Sequence, residues 1–445
     1  MSLTALVWVF AAGCLLLLSL RRPVWAIALY MLTFFAAPHL WWWGDEIPRM
    51  RYALWAGVAL LISVVIFRIQ SPPDDGHRTS RVHKTAVLMV VNATLVHLLL
   101  AIDRTISLDT YTELLKYTLL FYLMWIGIRD KRDFRTAIMA IALGGFYIGW
   151  EITMNERGDF SGSRLEGVGA PGAETANSLA SLMLTCLPLI SSLLVDGSKR
   201  DKIIALGAAP LVLNVLLLCN SRGAFLGLMG TGVAFLLIAR GKTRKMALRS
   251  LLVGTVALYF LLGDPKILDR FTTTFVGSEE RDNSASSRLV FWQAGMRMLN
   301  DYPLGAGGGA FKFNVGRRYQ ASIVGDRNAE DRSLHNGYLT EATDWGIQGL
   351  ALKLFMFVSA LFLAYRTVER CRLEGRTREA ITGLCMMTAG LGLLIHCFFG
   401  SFLANEWGYW VMALLVRYSE LYKVGEQVQV VPETVPRAVE GPQAA

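Results

Sequence analysis

The chain has 445 residues, 53% of them apolar and 18% charged, with a formal net charge of +9. A soluble globular protein carries about 25% charged residues, and the mean hydropathy here is +0.41. A disordered chain and an ordinary soluble enzyme are excluded. The six cysteines form no disulfide framework or metal site: Cys14, Cys186, Cys219, Cys385 and Cys397 lie in apolar runs, Cys371 lies in a basic loop, and no CxxC or Cys/His spacing occurs. The basic residues are scattered through short loops and share no face, so no nucleic-acid partner is expected.

The apolar residues come in runs of membrane-crossing length, about 20 residues each. In chain order they are Leu3–Leu20, Val24–Leu40, Tyr52–Phe67, Thr85–Ala101, Tyr111–Ile126, Phe134–Ile152, Asn177–Val195, Ile203–Cys219, Gly223–Ala239, Met246–Leu262, Gly346–Tyr365, Ala380–Phe399 and, less clearly, Phe402–Val416. This predicts an all-α polytopic membrane protein of 12 or 13 helices. The first run is no cleaved signal peptide, because Arg21 and Arg22 follow it where a small-residue cleavage site would stand.

Alternate loops differ in charge. Those at Arg21/Arg22, Arg68–Lys84, Arg129–Arg135, Lys199–Lys202, Arg240–Arg249 and Arg366–Arg378 hold 23 Lys and Arg, against six in the short intervening loops. The first set is therefore expected in the cytoplasm. The N-terminus is expected outside and, with 13 spans, the tail inside. Four regions result: 1–262 with ten spans, an outer loop over 263–345, spans over 346–418, and a polar cytoplasmic tail over 419–445, read as disordered.

The outer loop, Gly263–Trp345, is 83 residues long. A loop of that length in a compact protein points to function. Ser286 and Ser287 precede Leu289, Trp292, Met296 and Leu299, a helical stripe with a serine cap. It predicts an amphipathic helix lying on the membrane or on the bundle. Gly305-Ala306-Gly307-Gly308-Gly309 follows, either a plain flexible loop or a backbone cradle for an anion; no Gly-Lys-Ser/Thr follows to make it a P-loop.

His335 is the loop's only histidine. Imidazole titrates near neutrality and serves as a general base, although a lone loop histidine is by itself more often a bland residue. Arg164, Arg222 and Arg288 share the predicted outer face. Arg222 is wedged between two spans, where a charge either snorkels to headgroups or faces an anion. Arginine forks match phosphate oxygens and keep their charge, so several on one face suit a diphosphate.

Taken in order, these segments resemble the bacterial O-antigen ligase superfamily, which includes O-antigen polymerases and protein O-glycosylation ligases. The matching pieces are Arg164…Gly167…Asn177-Ser178-Leu179-Ala180, Ser221-Arg222-Gly223-Ala224, Ser287-Arg288 with Trp292, Pro303-Leu304-Gly305-Ala306-Gly307, His335-Asn336-Gly337-Tyr338-Leu339 and Gly346-Ile347-Gln348-Gly349-Leu350. The resemblance implies a GT-C-like, metal-independent, inverting glycosyltransferase of the bacterial inner membrane, with its active site facing the periplasm and no cofactor. Its donor would be an undecaprenyl-diphosphate-linked glycan and its acceptor a hydroxyl, foremost of lipid A–core, otherwise of a protein or the growing glycan. On this mapping Arg164, Arg222 and Arg288 bind the diphosphate and His335 is the general base. Asn336, Asn177 and Tyr338 orient groups or bind sugar. Trp41–Trp43, Trp292 and Trp407 are either sugar-stacking residues or interface belts. The competing class is a transporter of lipid-linked glycans. It would place polar groups near the membrane midplane and often shows inverted repeats; only Asn214 and Lys116 stand out mid-span, and no repeat is seen.

Overall fold

A computed structural model describes residues 1–70, 78–161, 164–241, 243–245, 247–248, 279–325, 329 and 332–423. The predicted run Met246–Leu262 apart from residues 247–248, the first part of the outer loop and the tail beyond Lys423 lie outside the described residues. The remaining apolar runs all form helices: α1 (Leu3–Ser19), α2 (Pro23–Phe35), α3 (Tyr52–Gln70), α4 (Arg81–Leu95), α5 (Arg104–Gly127), α6 (Lys131–Met154), α7 (Ala176–Asp196), α8 (Lys199–Leu218) and α9 (Arg222–Ile238). After the loop come α10 (Glu279–Asp301), α11 (Gly316–Val324), α12 (Gly337–Leu373), α13 (Thr377–His396) and α14 (Glu406–Leu421). Eight helical segments are long and apolar enough to cross a membrane, and α1 and α9 are shorter apolar helices. The protein is a multi-pass helical membrane protein. α1, α3 and α9 turn large apolar side chains outward, among them Leu3, Phe10, Trp55, Met229 and Leu237, as a surface that meets lipid does.

The last apolar run is indistinct in sequence for a reason the packing supplies. α14 is buried from Glu406 to Ser419, so its polar residues meet partners inside the protein. Glu406 accepts from the Trp410 indole at 3.1 Å, and buried Arg417 pairs with Glu420 and donates to the Arg129 carbonyl at 3.0 Å.

The loops that share a high Lys/Arg count meet at one end of the bundle. Arg22 bonds Asp130 at 2.6 Å, Lys131 bonds Glu379 at 2.8 Å, Arg240 bonds Glu369 at 3.0 Å, and Tyr422 at the end of α14 donates to Asp196 at 3.2 Å. The N-terminus lies at the other end, where the Ser2 amide donates to Glu46 between α2 and α3.

Three features depart from the sequence reading. A two-stranded hairpin, β1 (Asp159–Ser161) with β2 (Arg164–Glu166), interrupts the otherwise all-α chain between α6 and α7. α10 starts at Glu279, so Ser286 and Ser287 lie inside the helix and do not cap it. Its buried face is Phe291, Ala294 and Met298, whereas Leu289 and Met296 of the predicted stripe point outward. The apolar face that packs is thus the loop's own core, and Leu289 and Met296 stand outside it. Finally, α12 begins at Gly337, nine residues before the predicted span, and changes direction at Gly346, whose φ is +81°.

Candidate active site

The glycine stretch docks on the break in α12. At Gly346 the helix cannot satisfy its own carbonyls, and the stretch supplies the missing donors: Ala306 N–H to Thr343 O at 2.9 Å and Gly307 N–H to Asp344 O at 3.1 Å. Ile347 N–H returns a bond to Pro303 O at 3.0 Å. Gly308 N–H donates to Ser107 Oγ at 3.1 Å, and Ser107 is held by His97 Nδ1 at 3.0 Å. The Asp344 carboxylate takes the amides of Gly309 and Ala310. The backbone donors are thus consumed within the protein, and the carboxyl group they hold is that of Asp344. This removes the phosphate-cradle reading and also the flexible-loop one. Glycine is required here by close approach: a Cβ at Gly305 would stand 2.6 Å from Gly346 N.

Against this frame the chain places His335 and Asn336. Asn336 is the N-cap of α12, accepting from the amides of Tyr338 at 3.0 Å and Leu339 at 3.1 Å. Gly337 N–H bonds Cys397 O at 2.7 Å, and the Tyr338 hydroxyl donates to Leu394 O at 2.6 Å. The cap and Tyr338 therefore anchor the start of α12 to the end of α13. On the other side Trp292 Nε1 donates to Leu334 O at 3.1 Å, and the Phe291 ring lies 6.2 Å from that of His335. His335 is half-buried between α10 and α12 with φ at +49°, a conformation that a residue with a Cβ adopts only when its surroundings impose it. Ser333 Oγ stands 3.5 Å from Nδ1.

The three arginines come from three elements. The hairpin presents Arg164, whose guanidinium donates to Asn177 Oδ1 at 2.6 Å at the start of α7; its Nε is buried without a partner. Arg222 opens α9 immediately after the Ser221 cap, next to Asn220, whose φ is +45°. Arg288 lies in α10. Among the described residues none of the three makes an ion pair. Instead they act on one another: burial first, then the charges of Arg164 and Arg222, push the Arg288 guanidinium below its ordinary value. His335 feels the same field. Burial, then Arg288, Arg332 and Arg164, lower its imidazole to about 4, so at neutral pH it is uncharged beside cations. A pocket of this kind fits a polyanionic group next to a hydroxyl that must lose a proton.

The predicted residues His335, Arg164, Arg222 and Arg288 are thus brought together, and Asn177 joins them through Arg164. Asn336 and Tyr338 stand beside the site but spend their oxygen atoms on helix anchoring. Of the tryptophans, Trp41, Trp43 and Trp407 are buried, with indole N–H bonds to Phe35 O, the Tyr147 hydroxyl and Ser181 Oγ. Trp42 is exposed. Sequence reasoning missed Phe291 and Asn220, and it passed over Glu341 and Lys353, which are charged yet buried in α12. An acid and a base twelve residues apart in one helical run were the available signal.

The architecture and the site define a multi-pass membrane protein with a cationic, histidine-bearing site at the bundle end opposite its basic loops. Residues 207–354 match the O-antigen ligase family. That match supports the O-antigen ligase superfamily, whose members are glycosyltransferase-like ligases or polymerases. The matched segment holds Arg222, Arg288, His335 and the α12 break; Arg164 and Asn177 lie ahead of it. No curated protein matches the chain.

Proposed function

We propose that this protein is a GT-C-like glycosyltransferase that moves a glycan from undecaprenyl diphosphate to a hydroxyl of lipid A–core at the periplasmic face of the bacterial inner membrane. One observation carries the proposal: Arg164 and Arg288 act on a half-buried His335 and Arg222 acts on Arg288, and among the described residues none of the three arginines makes an ion pair. Like charges gathered in a partly buried site are costly unless an anion joins them, and a diphosphate is the anion that a lipid-linked glycan brings.

In the reaction, His335 takes the proton of the acceptor hydroxyl. The oxygen attacks the anomeric carbon from the side opposite the diphosphate, a glycosidic bond forms, and the bond from that carbon to the diphosphate oxygen breaks. The configuration inverts. Undecaprenyl diphosphate leaves with the electron pair, its charge held by Arg164, Arg222 and Arg288, which act most strongly in the water-poor site. Asn177 orients Arg164. The rigid start of α12 keeps His335 fixed, which lowers the entropic part of the barrier.

The test is transfer by the purified protein from an undecaprenyl-diphosphate glycan, with lipid A–core in one sample and donor alone in another. The expected product is glycosylated lipid A–core, lost in His335→Ala while the variant stays folded and inserted. Chain extension with donor alone would make the protein a polymerase, and an active His335→Ala would overturn the base.

A further inference from the structure

α12 holds two ionisable residues in the protein interior. The Glu341 and Lys353 side chains are 2% and 1% exposed, and Lys353 Nζ stands 3.5 Å from Glu341 Oε1. Nζ also donates to the Tyr409 hydroxyl of α14 at 2.7 Å and lies 4.6 Å from that ring's centre. Charges in a membrane protein's interior are expensive and mark function by default. The pair has a geometric peculiarity. In a straight α-helix residues twelve apart are about 18 Å apart along the axis, farther than these two side chains can span. The contact exists because the helix breaks at Gly346, between them. Glu341 belongs to the half that starts with the Asn336 cap and carries His335 at its entrance. Lys353 belongs to the half that runs on through the bundle, and Tyr409 ties it to the central helix.

We propose that Glu341, Lys353 and Tyr409 are positioning residues that lock the angle between the two halves of α12 and so hold His335 over the three arginines. The proposal rests on the glycan-transfer reading above. Other contacts at the break are short bonds that pin position, from the backbone of the glycine stretch and from the Asn92 and Gln348 side-chain amides, which donate to Trp345 O at 2.9 and 3.1 Å. The charged pair adds a long-range clamp across the bend. Because each charge is desolvated, losing one partner leaves the other uncompensated, whereas removing both leaves a neutral interior without the clamp. A merely structural counter-ion pair and a positioning clamp therefore differ in the double variant.

The experiment compares wild type with Glu341→Gln/Lys353→Met in detergent. It measures thermal unfolding, kcat and donor KM with undecaprenyl-diphosphate glycan and lipid A–core, and hydrogen–deuterium exchange of the amides in 337–345. The expected result is near-wild-type melting, kcat lower by about 10²-fold for a displaced base, donor KM unchanged, and faster exchange confined to 337–345. Wild-type kcat in the double variant would overturn the clamp, as would unchanged exchange in 337–345. Should the double variant fail to fold, Tyr409→Phe removes one hydroxyl and little volume: faster exchange with lower kcat supports the clamp, and both unchanged overturn it. If wild type transfers nothing, the functional reading fails, while the exchange data still decide whether the half-helix is clamped.

Discussion

His335 sits among cations and away from bulk water, and both lower its proton affinity to about 4 from an ordinary 6.5. If His335 is the base proposed above, the free enzyme keeps it available far into the acid range. We expect kcat/KM to keep its plateau below pH 6.5 and to fall near pH 4, because that ratio reports the free enzyme. In the proposed reaction bound diphosphate offsets the arginine charges, so the acid limb of kcat should lie at higher pH than that of kcat/KM. Two pH–rate profiles test this, and coincident limbs near 6.5 would contradict it. The sign for stability follows from the same depression: the contribution is full above about pH 6.5 and is lost as pH falls toward 4, where only the unfolded chain gains the proton. The arginines permit a sharper comparison. Arg222→Lys and Arg288→Lys keep the charge but lose the planar fork, so each should raise donor KM strongly and not restore wild-type turnover. Full activity in either lysine variant would argue against bidentate phosphate binding. The residue types were readable in the chain. Which nitrogen or oxygen stayed free was not, because Asn336 and Tyr338 are engaged by helix termini that meet only after folding.

At the scale of elements, the break in α12 organises the outer end. Gly346 adopts φ +81°, and a Cβ there would stand 2.5 Å from Leu304 C. Gly346→Ala should therefore destabilise by about 1–3 kcal/mol through backbone strain alone, with more from the clash, and should lower kcat with it. Thermal melts alongside turnover check both, and a variant as stable and active as wild type would show that the break is not needed. Sequence periodicity marked the apolar part of α12 from Gly346 onward but left Gly337–Trp345 in the loop. That half-helix is polar in places because its partners are the glycine stretch, α13 and α14, none adjacent in sequence. The same holds for α10, where the predicted stripe of Leu289 and Met296 is real but outward, and the packed face is Phe291, Ala294 and Met298.

For the whole molecule, the start of α1 and the end of α14 lie at opposite ends of the bundle: Ser2 against Glu46, Tyr422 against Asp196 and the basic loops. An odd number of passages satisfies this, and thirteen rather than twelve is expected. With the basic loops in the cytoplasm, a reporter fused at the N-terminus should read out periplasmic and one after Lys423 cytoplasmic. Both reporters on one side would refute the topology.

By itself the sequence determined the membrane class, the order and place of twelve described helices though not where α12 begins, the grouping of basic loops at one end and the residue types of the proposed site. Each is written locally, in hydropathy runs, in loop charge or in side-chain chemistry that a membrane face makes unusual. Tertiary structure alone decided what the glycines bind, which face of α10 is buried, why α14 tolerates Glu406 and Arg417, and that Glu341 can reach Lys353. Those depend on contacts between segments far apart in the chain, where burial turns a polar residue from a liability into a partner and a helix break brings together side chains that a straight helix keeps apart.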